Sequence, residues 1–311
     1  MKHYLEVSQE VAAALEVGWP VVGLESAVIA HGLPYPSNVE TALALEAIIR
    51  DADVTPATIA VRGGKVRIGI SENEIESLAG EQAALKLGTR DLPGALDSGE
   101  SGATTVSATV FIADRVGIAV FVTGGIGGVH RGAARTFDIS SDLWELAKSG
   151  VIVVCAGAKG VLDLSATLEW LETHQIPVLG YRTAEFPAFY SRCSGLKIER
   201  VEGPEQVAHH FLLRRRLGMT GGMVVAVPVP AEAELALDDE ISQAVEEAEK
   251  AGIRGKEVTP WLLTRLAELT GGKSIAANIA LLKNNAAVGA EIAKALATRL
   301  KRAEEESGKF V

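Results

Sequence analysis

Cysteine is too scarce in this chain for disulfides to hold it together. Cys155 and Cys193 are the only two in 311 residues, which excludes a disulfide framework and suits a reducing cytoplasm. Long apolar runs are missing as well, and no uninterrupted stretch reaches membrane-spanning length. The opening "MKHYLEVSQEVAAALEVG" alternates charge with apolar residues and lacks the apolar core of a secretory signal. Excess positive charge is absent too. With 30 Lys and Arg against 40 Asp and Glu, the net charge is −10, which argues against a broad nucleic-acid surface. A small anionic ligand is still allowed, because it needs only a local cluster of donors. No Pro/Ser linker, low-complexity tract or fixed-period repeat divides the chain. Residues 1–311 are therefore expected to form a single domain.

What is present is 48% apolar content arranged as short apolar runs alternating with helical spacing. "PVVGLES" (20–26), "TIAVRGGKVRIGI" (58–70), "GIAVFVTGG" (117–125), "VIVVCAGA" (151–158), "IPVLGY" (176–181) and "GGMVVAVPV" (221–229) read as strands. Segments 37–52, 103–117, 140–150 and 204–218 carry helical periodicity, and Ser37 with Glu40 and Ser71 with Glu74 are helix-start signatures. "RGGK" (62–65) predicts a hairpin turn. This alternation implies a three-layer α/β/α fold with a mostly parallel, mixed sheet. From Leu237 onward the pattern is helical, so the last third is expected to be all helix.

Ligands of open α/β sheets collect at the carboxyl ends of strands, and several junctions carry residues a plain core would avoid. Glu25 follows an apolar strand and precedes small residues. A carboxyl desolvated there would hold its proton and could donate it; a helix-start or salt-bridge role is the competing reading. His31 reads as a turn or core histidine, since no second metal-type residue stands at a helical spacing from it. Lys86, Arg90 and Asp91 in "LKLGTRDLP" could be solvated charges. In "FVTGGIGGVHRGAARTFDISSDL" (121–143) a strand runs into four glycines within five positions, a turn able to offer backbone N–H groups to an anion. The sixth position of a dinucleotide fingerprint is occupied by His130, so that motif fails, and there is no Walker lysine. Ser140 and Ser141 fit a helix N-cap open to phosphate, and Asp138 could cap the same helix. Lys159 stands just after the buried run 151–155 among Ala156, Gly157, Ala158 and Gly160. Burial disfavours a charged amine, and a neutral one is a nucleophile able to form an imine with an aldehyde; the alternative is a stem packed at a loop with its head in water. Asn278 and Asn285, seven residues apart on an Ala/Leu/Ile helix, can face one side. They would contact either a ligand's amide edges or a neighbouring helix.

The blocks "GLESAVIAHGLPYP", "LKLGTRDLP", "SGATTVSATVFIA", "FVTGGIGGVHRGAARTFDISSDL", "VCAGAKGVLDL" and "AANIALLKNNA" resemble, in the same order, the pseudouridine-5'-phosphate glycosidase family, which has the indigoidine synthase A-like fold. The resemblance implies reversible cleavage of pseudouridine 5'-phosphate to uracil and ribose 5-phosphate. It makes Glu25 the proton donor and Lys159 the Schiff-base nucleophile. Lys86, Val106, Ser140, Ser141 and Asp142 match substrate-contacting positions, Thr123 and His130 further pocket positions, and Asn278 and Asn285 remaining ones. Asp138 matches a divalent-metal aspartate, Mn²⁺ by preference. The resemblance also implies a homotrimer, with no organic cofactor, nucleic acid or membrane as partner. Two rivals share parts of this pattern: a Schiff-base aldolase on another phosphosugar, and a non-catalytic sugar-phosphate sensor. A requirement for uracil separates the first from the glycosidase reading, and a trappable covalent adduct separates the second.

Overall fold

Each of the six apolar runs contains a strand, because helices or neighbouring strands cover it. The computed structural model describes residues 2–81, 84–253 and 255–307. It opens with β1 (Leu5–Val7), α1 (Gln9–Glu16), β2 (Val21–Glu25), a π-helical turn at Val28–Gly32, α2 (Ser37–Asp51), β3 (Thr55–Arg62), β4 (Lys65–Ile68) and α3 (Glu72–Gly80). The middle comprises β5 (Leu85–Leu87), α4 (Leu92–Ser98), β6 (Gly102–Thr104), α5 (Val106–Val116), β7 (Val120–Val122), β8 (Val129–His130), α6 (Ala133–Thr136) and α7 (Ser141–Lys148). Next come β9 (Ile152–Cys155), β10 (Leu162–Asp163), α8 (Leu164–Thr173), β11 (Val178–Tyr181), β12 (Glu199–Val201), α9 (Pro204–Arg216) and β13 (Met223–Ala226). The last third is helical, with α10 (Asp238–Lys250), α11 (Val258–Leu269) and α12 (Lys273–Ser307).

The main sheet runs β1-β4-β3-β2-β7-β9-β13-β11-β12, with β6 and β5 joined to it through β3. All neighbours are parallel except the pairs β3 makes with β4 and β6. The sheet is therefore mixed, with the predicted hairpin supplying one antiparallel pair. Every residue of β7, β9 and β13 is buried, as strands covered on both faces must be. The 35-residue α12 lies against β2, β7 and β9 and packs on α2 and α9. A methyl at Gly289 would stand 2.2 Å from Val122 Cγ2, so glycine there lets the helix settle directly on β7. Among the described residues no helix is long and apolar enough to cross a membrane.

Two local expectations fail for identifiable reasons. The segment 103–117 is not helical throughout, because Gly102 and Ala103 pair with Val61 and Ala60 of β3, and the helix starts only at Val106. Ser37 is the first residue of α2 rather than its cap; Pro36 holds the cap position and no side chain caps that end. At Ser71 the signature holds, since Glu74 accepts the Ser71 N–H at 2.9 Å while Ser71 Oγ accepts the Glu74 N–H at 3.4 Å.

Candidate active site

β2 ends at Glu25 because β3 changes partner there. Glu25 is the last residue of β2 to pair with β3, opposite Ile59; Ala60 and Val61 then pair with β6, which runs the other way. Ser26 closes the seam: its Oγ donates to the Ile59 carbonyl at 2.6 Å and accepts the Thr104 N–H at 2.9 Å. The Glu25 carboxyl is left at the carboxyl edge of the sheet, where the Thr123 hydroxyl, just past β7, donates to its Oε1. Burial pushes this carboxyl above the ordinary range, and the nearby Lys159, the Thr123 hydroxyl and Lys86 pull it only part of the way back. Glu25 therefore keeps a proton to higher pH than an exposed glutamate does.

Lys159 stands four residues beyond β9 in a loop fastened to the glycine turn. Its N–H donates to the Ile126 carbonyl, and its own carbonyl accepts the Leu162 N–H, both at 3.0 Å. β10 then pairs antiparallel with β8, which sets Leu162 opposite His130. Glu25, Lys86, Thr123 and Lys159 thus line one cleft. Val28, Phe189, Pro260, Leu263 and Leu282 form its apolar walls, with His31, Thr259 and Asn278 among its polar groups.

A second, polar compartment shares Lys86, Lys159 and Thr259 with the first. Two helix starts converge on it. Asp142 is buried and accepts the N–H of Ser107 on Oδ1 and that of Gly127 on Oδ2, both at 2.8 Å. It therefore ties the first turn of α5, the glycine turn and the first turn of α7 into one cradle. Ser140 caps α7 by accepting the Asp142 N–H, and Ser141 Oγ donates to Ser107 Oγ. Lys86 and Arg90 line the compartment beside these two helix starts, together with the carboxylates of Asp91, Asp138 and Asp142. A methyl at Gly127 would lie 2.2 Å from Ser140 Oγ, so this glycine permits close approach; it does not adopt the left-handed backbone. His130 and Asp138 line the same compartment, with Nδ1 3.9 Å from Oδ2. Burial pushes the His130 imidazole below its ordinary range; Asp138 opposes that shift, while Lys159 and Lys86 reinforce it.

Among the described residues no three His, Cys, Asp or Glu side chains converge as a metal cage. The donor set fits a hard cation held by the Asp138 carboxylate together with water and ligand oxygens, and it does not fit tetrahedral zinc.

The model of the indigoidine synthase A like protein family matches residues 10–295. The chain belongs to the indigoidine synthase A-like family. It is 54% identical over 297 residues to the pseudouridine-5'-phosphate glycosidase of Caldanaerobacter subterraneus subsp. tengcongensis, covering 94% of this chain and 97% of that protein. It is 51% identical over 300 residues to the protein of the same name from Geobacillus kaustophilus, covering 95% and 100%. Among solved structures, it superposes on a prealnumycin C-glycosynthase in complex with ribulose 5-phosphate with a TM-score of 0.89 at 37% identity, over 96% of this chain and 98% of that one. An indigoidine synthase A-like protein from Thermotoga maritima gives 0.87 at 41% identity, over 94% and 96%.

Within this family member, the residues singled out from sequence divide between the compartments. Glu25, Lys86, Thr123, Lys159 and Asn278 line the first, and His130, Asp138, Ser140, Ser141 and Asp142 the second. Val106 lines neither compartment; it is the first residue of α5, next to Thr105, which lines the second, and its side chain is buried. Asn285 lines neither compartment. Fully buried, it donates Nδ2 to the carbonyls of Thr123 at 2.8 Å and Gly124 at 3.4 Å, tying α12 to the end of β7. The expectation of a ligand contact there is corrected to support of the glycine turn. His31, expected as a turn or core histidine, stands in the π-helical turn Val28–Gly32 and also lines the first compartment. Phe189, Thr259 and Leu263 lie there too without any sequence signal, because the fold brings them in from distant loops and α11.

Proposed function

We propose that the chain cleaves the carbon–carbon glycosidic bond of pseudouridine 5'-phosphate, reversibly, to uracil and ribose 5-phosphate. The observation that carries this reading is that Glu25 and Lys159 line one cleft, with Lys159 near enough to act on the carboxyl, and that this cleft shares Lys86, Lys159 and Thr259 with a polar compartment at two helix starts. The names of the relatives support it. An ordinary N-glycoside can leave on nitrogen with two carboxylates assisting; a carbon-linked base needs a stronger electron sink, and a lysine iminium supplies one.

In this reading the C1'–O4' bond breaks as the pyrimidine, giving up an N–H proton, pushes electrons toward C1', and O4' takes the Glu25 proton. The Lys159 amine adds to the exposed C1', the C1'=C5 π pair returns to the pyrimidine, and the proton the amine sheds restores the ring N–H. The C1'–C5 bond then breaks, its electron pair staying on C5, which takes a proton, while the amine lone pair closes the iminium. Water adds across that iminium and releases ribose 5-phosphate as the aldehyde, returning the amine. Ser140, Ser141, the Val106 N–H and Lys86 hold the phosphate end, with Asp142 fixing the cradle. Asp138 would hold one divalent cation, Mn²⁺ by preference, through mostly water-filled coordination. Such a cation supplies charge neutralisation for substrate oxygens. The cytoplasm is the compartment proposed, consistent with Cys155 and Cys193 standing unpaired.

The test is incubation with pseudouridine 5'-phosphate and Mn²⁺, reading free uracil. Borohydride with ribose 5-phosphate should trap a single adduct on Lys159. An adduct without any uracil consumption in the synthetic direction would assign the lysine to an aldolase. Reversible binding with no adduct would reduce the protein to a sensor.

A further inference from the structure

Asn285 touches no ligand in the reading above, yet its amide stands where the strand end that holds the acid and the loop that carries the amine are fastened together. The residue is fully buried and donates Nδ2 to the carbonyls of Thr123 at 2.8 Å and Gly124 at 3.4 Å. Both neighbours are carbonyl oxygens, and only the NH2 side of an amide can donate to them, so the orientation of the side chain is fixed. Each carbonyl leads to one of the two reacting groups. Thr123 donates its hydroxyl to the Glu25 carboxyl, while its N–H donates to the Val154 carbonyl of β9 at 3.0 Å. The Gly124 carbonyl also accepts the Ala156 N–H at 2.8 Å, three residues before Lys159. One turn further along α12, Gly289 seats the helix against Val122, the last residue of β7.

The other half of the amide points to a purpose beyond packing. Among the described residues, Asn285 Oδ1 is buried without a hydrogen-bond partner, and an orphaned acceptor costs on the order of 1–3 kcal/mol. A leucine would fill a similar volume without that cost, so what the asparagine adds is its donor. Lys159, Asp142 and Lys86 act on the Glu25 carboxyl by charge, and His31 lines the same cleft. None of them belongs to α12, whose hydrogen-bonded link to the acid runs through Thr123. We propose that Asn285 is a positioning residue: by holding the Thr123 and Gly124 carbonyls, it keeps the Glu25 carboxyl in register with the Lys159 amine. The inference rests on the glycosidase reading and adds to it the side chain that aligns its acid with its nucleophile.

The test is a double-mutant cycle on uracil release from pseudouridine 5'-phosphate with Mn²⁺, read as kcat, KM and the alkaline limb of kcat/KM. Asn285→Leu should lower kcat about tenfold or more, as a reacting pair moved out of line does. KM should change little, because the polar compartment is tied by Asp142 instead. The limb should move to higher pH, the direction expected when the Thr123 hydroxyl is no longer held on the carboxyl. In a Thr123→Val background the same substitution should move the limb no further, since both changes act through one hydrogen bond. Asn285→Ala removes the same donor without adding bulk, and carries the cycle if Asn285→Leu does not fold. An unchanged kcat, a limb that stays in place while kcat falls, limb shifts that add in the double variant, or a rise in KM alone would overturn the role. A wild-type protein that releases no uracil would instead remove the glycosidase reading, and this inference with it.

Discussion

Glu25 is an ordinary side chain placed in desolvating surroundings, and the pH behaviour of the site follows from that. Glu25 must be protonated to act as the acid, so cleavage is expected to fall as pH rises through its elevated pKa. The Thr123 hydroxyl favours the charged form of that carboxyl. Thr123→Val should therefore raise the Glu25 pKa further and move the alkaline limb of kcat/KM to higher pH; a limb that stays put or moves down would detach Glu25 from the profile. Glu25→Gln should lower kcat about a hundredfold or more, the usual worth of a positioned acid. Lys159→Ala should abolish the borohydride adduct altogether, as read by intact-protein mass. Cys155 takes no part in any of this: burial pushes its thiol up to about 12, and it packs as a plain core residue.

At the scale of elements, the polar compartment is held by one carboxylate joining three backbone segments. Asp142→Asn keeps the shape but replaces a charged acceptor with an amide that can serve only one of the Ser107 and Gly127 N–H groups well. The expected loss is about 2 kcal/mol in urea unfolding, because hydrogen bonds to charged groups are the stronger kind. The KM for ribose 5-phosphate should rise with it, since both helix starts lose their alignment. Elements of this kind were legible in the sequence wherever they depend on local pattern. The β9 run, the RGGK hairpin and the Ser71 cap each follow from neighbours along the chain. Gly102–Thr104 was not legible, since its strand character comes from β3, some forty residues away in sequence, and the helical spacing just after it masks the change. The same limit explains the site. Glu25, Lys159 and the serine cap announce themselves at strand and helix ends. His31 and Phe189 gain their place only when the turn at 28–32 and the loop preceding Tyr190 close on one cleft. Asn285 shows the converse case: its spacing from Asn278 put both on one helix face, but that face meets the cleft at one end and the strand backbone at the other.

For the whole molecule, the resemblance implies an assembly of three copies, and we propose it here on the support of exposed apolar side chains. Val17, Trp19 and Leu300 are 75%, 51% and 44% exposed, and Trp19 and Leu300 line one cavity that a neighbouring copy could cover. Light scattering should then report about 98 kDa, three times the 32.6 kDa chain. A mass near that of one chain would count against the trimer.

Lys86, Lys159 and Thr259 line both chambers, so under the proposed chemistry a pentose tethered at Lys159 would leave its heterocycle on the side away from the phosphate. The base would then have no need to wait for the phosphate end to detach. Isotopically labelled uracil should accordingly wash into unspent pseudouridine 5'-phosphate faster than ribose 5-phosphate accumulates in solution.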